Sequence, residues 1–466
     1  MRIAFCCSEV VPFVKTGGLG DVCGALPLAL EALDQQVEVF LPYYGVIDPT
    51  AHPIREIDGT WSTATIGKGV IVHFIRQEKY FGRDGIYGDA TGDYPDNLER
   101  FQYFCRRVIE ILKQRQQQMD IIHCHDWQTA LIPVYLRHRY QEDPFFKDTK
   151  TVLSVHNLAF QGVFARDRFP VLELSDSLYT EEGFAFYNQL NLLKAGLLFS
   201  DAVATVSPTY AQEIQTPEFG CGLEGVIRLR CNNLIGILNG VDTQIWDPKT
   251  DQHIKYRFGP RDFNGKHKNK HHLQKLCRLP ARKEFPVFGF VGRLSHQKGV
   301  DLILQSLMEL MALDIQIVIL GVGDENYQYR LEEAALHYPD KISVHCQFNE
   351  PLAHQIYAGS DFLLMPSVFE PCGLSQMIAL RYGTIPLVHR VGGLADTVTP
   401  YQDGGNGLVF AQFNQEAFCA AVRDAVKLFG DRPVLENLFH QTFSYDCSWK
   451  ESARQYIGLY HQCQLR

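Results

Sequence analysis

Short, continuously apolar runs separated by helix-length amphipathic stretches constrain this chain more than any other feature. Runs at residues 3–7, 37–41, 70–75, 121–123, 151–155 and 202–206 are each followed by a helical pattern, and a run apolar at successive positions reads as a strand covered on both faces. A second series of the same kind begins near Pro286, with runs at 287–291, 316–320, 342–346, 362–365 and 385–388. Repeated βα alternation predicts an α/β chain with two doubly wound parallel sheets. A length of 466 residues exceeds what one core usually supports, so two domains are expected. Between the series lies Asn239-Gly240-Val241-Asp242, followed by a polar, His- and Lys-bearing stretch at 249–272 that reads as a solvated linker without chemistry. The boundary is placed at Asn239, giving domains at 1–240 and 241–448. A helical pattern from Trp449 to about Leu459 closes the chain, and periodicity does not say where it packs.

Composition narrows the function classes. With 46% hydrophobic and 21% charged residues the chain reads as globular, and no apolar run is long enough to span a bilayer. A formal net charge of −9 gives no general field for nucleic acid, so any anion site must be built from specific residues. The thirteen cysteines include no C-x-x-C pair, and the sequence opens on a strand rather than a charged and apolar leader. A reducing compartment is expected, the cytoplasm, with a plastid as the setting if this is a mature plant-type chain.

In doubly wound sheets, ligands meet the loops that follow strands. Lys15-Thr16-Gly17-Gly18-Leu19-Gly20-Asp21 follows the first strand and opens the first helical pattern, from Asp21 onward. Its glycines allow close backbone approach and Lys15 adds a positive charge, which suits a phosphate at a helix start. The spacing is neither G-x-G-x-x-G nor a P-loop, so the turn alone is equally a tight βα connection. After the strand at 287–291, Arg293 and Lys298 supply a planar fork and a point charge, suited to a diphosphate or simply solvated. After 362–365, Glu370-Pro371-Cys372-Gly373-Leu374 leads into a helix starting near Ser375, where the carboxylate binds hydroxyls, takes a proton or caps the turn. Gly392 and Gly393 follow the next strand. In the first half, Asp126, Trp127 and His156 fit hydroxyl binding and ring stacking, with His125 as a hydrogen-bonded structural residue. The spacing of His123, Cys124, His125 and Asp126 argues against a metal site. Tyr87 and the segment 93–97 form a loop that either closes over substrate or connects elements.

Together these segments resemble the glycogen synthases and starch synthases of bacteria and plants. The resemblance runs along nearly the whole chain and is carried by KTGGLGDV at 15–22, DYPDNLERF at 93–101, HCHDWQTA at 123–130, VHNLAFQG at 155–162, VSPTYAQEI at 206–214, NGVD at 239–242, VGRLSHQKGVD at 291–301, PSVFEPCGLSQM at 366–377 and RYGTIPLVHRVGGLADTV at 381–398. It implies a GT-B fold, with two Rossmann-like domains facing a cleft and the last helix, 449–466, rejoining the first domain. It implies retaining transfer of glucose from ADP-glucose to an α-1,4-glucan, without metal or other cofactor. Transferred residue by residue, Lys15, Arg293, Lys298 and the amides of Gly18, Leu374 and Ser375 reach the diphosphate. His156, Asn239, Asp126, Trp127, Glu370, Cys372 and Gly373 surround the glucose, Asp21 lies toward the acceptor, and Phe348 lies beside the adenine. Tyr87 is carried as a substrate-binding candidate. The sequence departs from the family at Val391, where relatives often have Thr, and at Gln128, where they often have His. A transferase with another donor or acceptor, UDP-glucose or a sucrose-type reaction, is the alternative, and a non-catalytic nucleotide or glucan binder is the alternative from another class.

Overall fold

The computed structural model describes residues 1–89 and 91–465. The chain divides into two compact units, Met1–Gly240 together with the C-terminal helix from Trp449, and Val241–Ser448.

The first unit is built on a nine-stranded sheet. Its strands are β1 (Arg2–Cys6), β2 (Gln36–Pro42), β3 (Arg55–Asp58), β4 (Trp61–Ile66), β5 (Val70–Ile75), β6 (Ile121–His125), β7 (Lys150–Val155), β8 (Ala202–Thr205) and β9 (Leu234–Gly236). Their spatial order is β9-β8-β7-β6-β1-β2-β5-β4-β3. Pairing is parallel from β9 through β5, and only β4 and β3 join antiparallel. The central strand explains why its sequence is uniformly apolar: Ile3, Ala4, Phe5 and Cys6 are fully buried. Because β1 has β2 on one side and β6 on the other, the winding direction reverses there, which opens a crevice beyond the strand ends.

Helix α1 (Gly18–Glu31) starts three residues earlier than its apolar periodicity suggests. A Cβ at Gly20 would lie 2.5 Å from Lys15 Cβ, and one at Gly24 would lie 2.5 Å from the Val11 carbonyl oxygen. These two glycines, one turn apart, therefore let the helix press against the loop before it. The C-terminal helix (Trp449–Gln464) packs on α1 and on β7. Its Tyr456 and Tyr460 are fully buried, and Ser452 Oγ donates to the Leu238 carbonyl. Burying each such aromatic contributes about 2–3 kcal/mol, so this helix is an integral layer of the unit.

The second unit carries a six-stranded, wholly parallel sheet. Its strands are β10 (Val287–Val291), β11 (Gln316–Leu320), β12 (Ile342–His345), β13 (Phe362–Met365), β14 (Ile385–His389) and β15 (Leu408–Phe410), in the order β12-β11-β10-β13-β14-β15. The reversal here falls between β10 and β13, and their following loops carry Arg293, Lys298 and Glu370. Leu302, Ile303 and Leu310 of the helix Val300–Met311 pack into the core with Ile317, Ile319 and Leu364.

One expectation fails. The polar stretch at 249–272 is no solvated linker, because it contains most of helix α2 (Phe263–Leu276), whose Gly265, Lys266, Asn269, Lys270, Leu273 and Gln274 are buried. The Lys266 ammonium donates to the Tyr357 and Tyr382 carbonyls at 3.0 and 2.9 Å and to Thr384 Oγ1. Lys270 pairs with Asp361 at 2.8 Å. Carbonyls and a carboxylate brought in from distant sequence thus replace water around these amines.

Candidate active site

In the first unit the chain leaves β1 through Ser8 and Glu9, and Glu9 organises everything after it. Its carboxylate is buried and accepts from Thr16 N at 2.5 Å, Gly17 N at 3.3 Å, Thr16 Oγ1 at 2.8 Å and the Tyr87 hydroxyl at 2.7 Å. The glycine turn is therefore held from beneath by an anion. The amide of Gly17 is committed to Glu9 and that of Gly20 to the Gly17 carbonyl at 3.2 Å, while the Gly18 amide, at the first position of α1, has no intrahelical acceptor by position. Lys15 Nζ lies 3.2 Å from Asp21 Oδ1, which keeps the ammonium over the helix start.

Tyr87 belongs to this assembly. Its hydroxyl also lies 2.7 Å from Ser8 Oγ, and burial beside Glu9 raises its pKa well above the usual phenol range, so it remains a donor. The segment 93–97 braces it from behind: Tyr94 N and Asn97 Nδ2 donate to the Tyr87 carbonyl at 2.9 and 2.8 Å, and Arg83 holds Asp96 at 2.6 Å.

On the other side of the reversal, Asp126 follows β6 with φ +56, a left-handed conformation tolerated by Asp more readily than by most residues. The bend turns its carboxylate inward, where Oδ1 accepts from His156 N at 2.7 Å. Burial pushes its pKa up to about 7 despite this amide and that of Asn157, and the nearby charge of Glu9 adds to the rise. His156 Nε2 and His125 Nδ1 share a hydrogen bond of 2.8 Å, and desolvation depresses His156 to about 4, so the imidazole is neutral near pH 7. His125 is fully buried and supports His156 from below. His123 in turn bonds Ser154 Oγ at 2.7 Å and the Tyr460 hydroxyl at 2.8 Å, tying the C-terminal helix to this strand end.

Trp127 packs one ring face on Gly162, where a Cβ would come within 2.5 Å of the indole, and meets Phe101 edge-on at 5.0 Å. Gly162 has φ +62, so this position needs glycine twice over. Asn239 is buried, and its Oδ1 finds no hydrogen-bond partner among the described residues. An orphan acceptor of this kind marks a place where a ligand donor gains much.

In the second unit the loops after β10, β13 and β14 are fastened to one another. Gly299 has φ +69, and a Cβ there would overlap the Pro366 carbonyl oxygen at 1.8 Å. Val368 N donates to the Gln297 carbonyl at 2.9 Å, and Gly393 N to the Glu370 carbonyl at 3.0 Å. Inside this framework Lys298 Nζ lies 2.6 Å from Glu370 Oε2, which also accepts from Ser367 Oγ at 3.0 Å. Glu370 is 5% exposed, and Arg293 stands exposed beside the ion pair's loop with no salt bridge among the described residues. Gly373, at φ +75, turns the chain into α3 (Ser375–Arg381), with Leu374 as its N-cap residue. Cys372 is buried beneath that turn, and Phe348 is 75% exposed after β12.

Three positioning residues escape motif reading: Glu9, Ser367 and Gln376. Gln376 Nε2 donates to the carbonyls of Cys372 and Gly373 and to Thr397 Oγ1 at 3.0, 2.8 and 3.0 Å, stapling the turn before α3. Ser367 and Gln376 lie inside the motif at 366–377, which assigns them no role, and Glu9 lies in none of the motifs. Gln128 is buried with its Oε1 unpartnered, and Val391 begins the Gly392–Thr397 helix without a side-chain cap.

Each unit thus carries most of its candidates on loops near the reversal of its sheet, with Asn239 and Phe348 following the edge strands β9 and β12. The model of the starch synthase catalytic domain matches residues 2–229, and that of glycosyl transferases group 1 matches residues 277–433. The chain is 44% identical to a glycogen synthase of Geotalea uraniireducens, over 100% of this chain and 99% of that protein. It is 42% identical to a glycogen synthase of Bacillus cereus, over 99% of each. Among solved structures, the catalytic domain of starch synthase IV from Arabidopsis thaliana, bound to ADP and acarbose, superimposes with a TM-score of 0.92 at 34% identity, covering 100% of this chain and 99% of that one. Sucrose-phosphate synthase from Thermosynechococcus elongatus shares the fold, with a TM-score of 0.62 at 18% identity over 99% of this chain and 98% of that one. The chain belongs to the glycogen and starch synthase family, glucosyltransferases of the GT-B fold.

Proposed function

We propose that this glucosyltransferase moves glucose from ADP-glucose to the non-reducing end of an α-1,4-glucan with retention of configuration. The observation that carries the reading is the Lys298–Glu370 pair at the sheet reversal of the second unit, with Arg293 on the same loop as Lys298. The ADP and acarbose bound to the starch synthase IV relative support a nucleotide donor and a glucan-like acceptor. Breaking the bond from C1 to the β-phosphate oxygen puts negative charge on the leaving diphosphate. In the second unit Lys298, held by Glu370, together with Arg293 and the amides at Leu374 and Ser375, receives that charge; in the first unit Lys15 and the Gly18 amide are the phosphate candidates. Glu370 uses Oε2 to hold Lys298 and keeps Oε1 for a sugar hydroxyl.

Among the sugar-binding candidates, neutral His156, Asn239, Asp126 and Trp127 in the first unit and Cys372 and Gly373 in the second, none adds a cation that would oppose oxocarbenium character. Asp21 lies toward the acceptor and Phe348 beside the adenine, while Tyr87, a substrate-binding candidate, acts through Glu9 on the glycine turn. The acceptor O4 attacks C1 from the face the phosphate leaves, and its proton passes to the departing phosphate oxygen. No separate carboxylate nucleophile is required. Among the described residues no disulfide joins the cysteines, which fits action in a reducing compartment, the cytoplasm or a plastid. Among the described residues no helix is long and apolar enough to cross a membrane.

The test is transfer of labelled glucose from ADP-glucose and from UDP-glucose to a maltooligosaccharide, with the new linkage assigned by NMR. Faster transfer from ADP-glucose giving an α-1,4 linkage supports the reading. Preference for UDP-glucose, a β linkage or no transfer overturns it.

A further inference from the structure

A second group of cations lies in the Val241–Ser448 unit, apart from the site above. Residues 249–283 hold eleven Lys and Arg against two Asp in a chain whose net charge is −9, so positive charge is concentrated here. Lys266 and Lys270 are used inside the fold, as described. Lys255, Arg257 and Lys268 instead line one cavity of about 450 Å³ and make no salt bridge among the described residues. That volume is within the range of small-molecule sites, roughly 300–1,000 Å³, and too small for a polymer chain to coil into.

The two carboxylates that share the lining are engaged elsewhere. Asp251 Oδ2 accepts from the Tyr382 hydroxyl at 2.5 Å and bonds His354 Nδ1 at 2.7 Å, and Oδ1 accepts from His253 N at 2.8 Å. Asp262 caps α2 by accepting from Gly265 N at 2.9 Å. Arg257 Nε donates to the Asp251 carbonyl at 3.2 Å, which fixes the stem while its terminal nitrogens remain for a ligand. The positive surface continues along α2 at helical spacing through Lys268, His271, His272 and Lys275. Burial, with the charges of Lys255, His271 and Lys275, depresses the pKa of His272.

We propose that this cavity binds a phosphate ester of a small polyhydroxylated molecule. The Arg257 fork and the ammonium groups of Lys255 and Lys268 take the phosphate, and Gln252 and Tyr256, which share the lining, take hydroxyls. Its floor meets the reaction site through one short element: Tyr382, bonded to Asp251, is the C-cap residue of α3, whose first residue is Ser375.

The experiment is isothermal titration of the full chain carrying Lys15→Gln, Arg293→Gln and Lys298→Gln, so that the reaction site's own cations do not report. Glycerol 3-phosphate, inorganic phosphate and glycerol are the probes. Saturable one-to-one binding of glycerol 3-phosphate, tighter than inorganic phosphate and absent for glycerol, is expected. Adding Arg257→Gln and Lys268→Gln should weaken it about tenfold or more, with an unchanged melting curve, because both side chains are exposed. Lys275→Gln, outside the cavity lining, should leave it intact. Absence of saturable binding, binding that survives the Arg257 and Lys268 substitutions, or an ester that binds no better than inorganic phosphate overturns the proposal.

Discussion

Removing the Glu9 carboxylate should separate a residue that positions the glycine turn from one that merely stabilises the fold. Glu9 receives four hydrogen bonds, two from backbone amides that cannot reverse and two from hydroxyls that can. In Glu9→Gln the side-chain oxygen can keep Thr16 N and Gly17 N while the new NH₂ faces the Thr16 and Tyr87 hydroxyls, which rotate to accept. Loss of charge assistance then costs about 1–2 kcal/mol. In Glu9→Ala all four hydrogen bonds vanish. Thr16 and Gly17 are exposed and recruit water, but the Tyr87 hydroxyl keeps only Ser8, so a loss of about 3–4 kcal/mol is expected. Urea denaturation measures these losses, and initial rates of glucose transfer measure the consequence for the turn. With Lys15 and the Gly18 amide no longer held in place, kcat/KM should fall about 100-fold for Glu9→Ala and no more than about tenfold for Glu9→Gln. A Glu9→Ala protein that loses the stability but keeps the wild-type kcat/KM would refute the positioning role. So would equal behaviour of the two variants.

Asp126 makes stability depend on pH. Its folded pKa of about 7 lies above that of an unfolded Asp, so the folded state holds a proton the unfolded chain has lost, and this contribution disappears as pH rises from about 4 through 7. Asp126→Asn, which retains an oxygen for His156 N, should flatten that slope in denaturation curves taken across the interval. Glu38 acts in the opposite sense. Although burial alone would raise its pKa, His73 and Arg115 hold it down to about 2, so its stabilisation is lost as pH falls from about 4.5 toward 2. Glu38→Gln should remove that acid-side loss. Gly393→Ala would place a Cβ 2.1 Å from the Cys372 carbonyl oxygen, forcing apart loops joined by the Gly393 N to Glu370 bond. A loss of about 1–3 kcal/mol in the thermal melt is expected, together with reduced transfer.

The central strands were legible because they are buried on both faces, so an unbroken apolar run is their direct consequence. Val70–Ile75, Val287–Val291, Gln316–Leu320 and Phe362–Met365 coincide with such runs. The edges were not: β3 is exposed throughout and has no apolar signal to read. Helix α2 was hidden for a different reason. A Lys or Asn normally marks a solvated face, and nothing near Lys266 foretells that Tyr357, Tyr382 and Thr384 will surround its amine. The loops that carry Lys15, Arg293, Lys298 and Glu370 were readable from their position after strands. Glu9 and Gln376 were not, because what they do depends on backbone groups that only the folded turn presents.

The central claim is that Lys298, fixed by Glu370, stabilises charge on the departing diphosphate. Its most direct measurement is the single-turnover rate of glucose transfer from saturating ADP-glucose by Lys298→Ala, with donor affinity determined separately by titration. Loss of a fixed charge-stabilising donor predicts a rate about 10²–10³-fold below wild type, with a much smaller change in affinity. A wild-type rate at saturation, with the whole effect in affinity, would show that Lys298 only binds the donor, and would contradict the account.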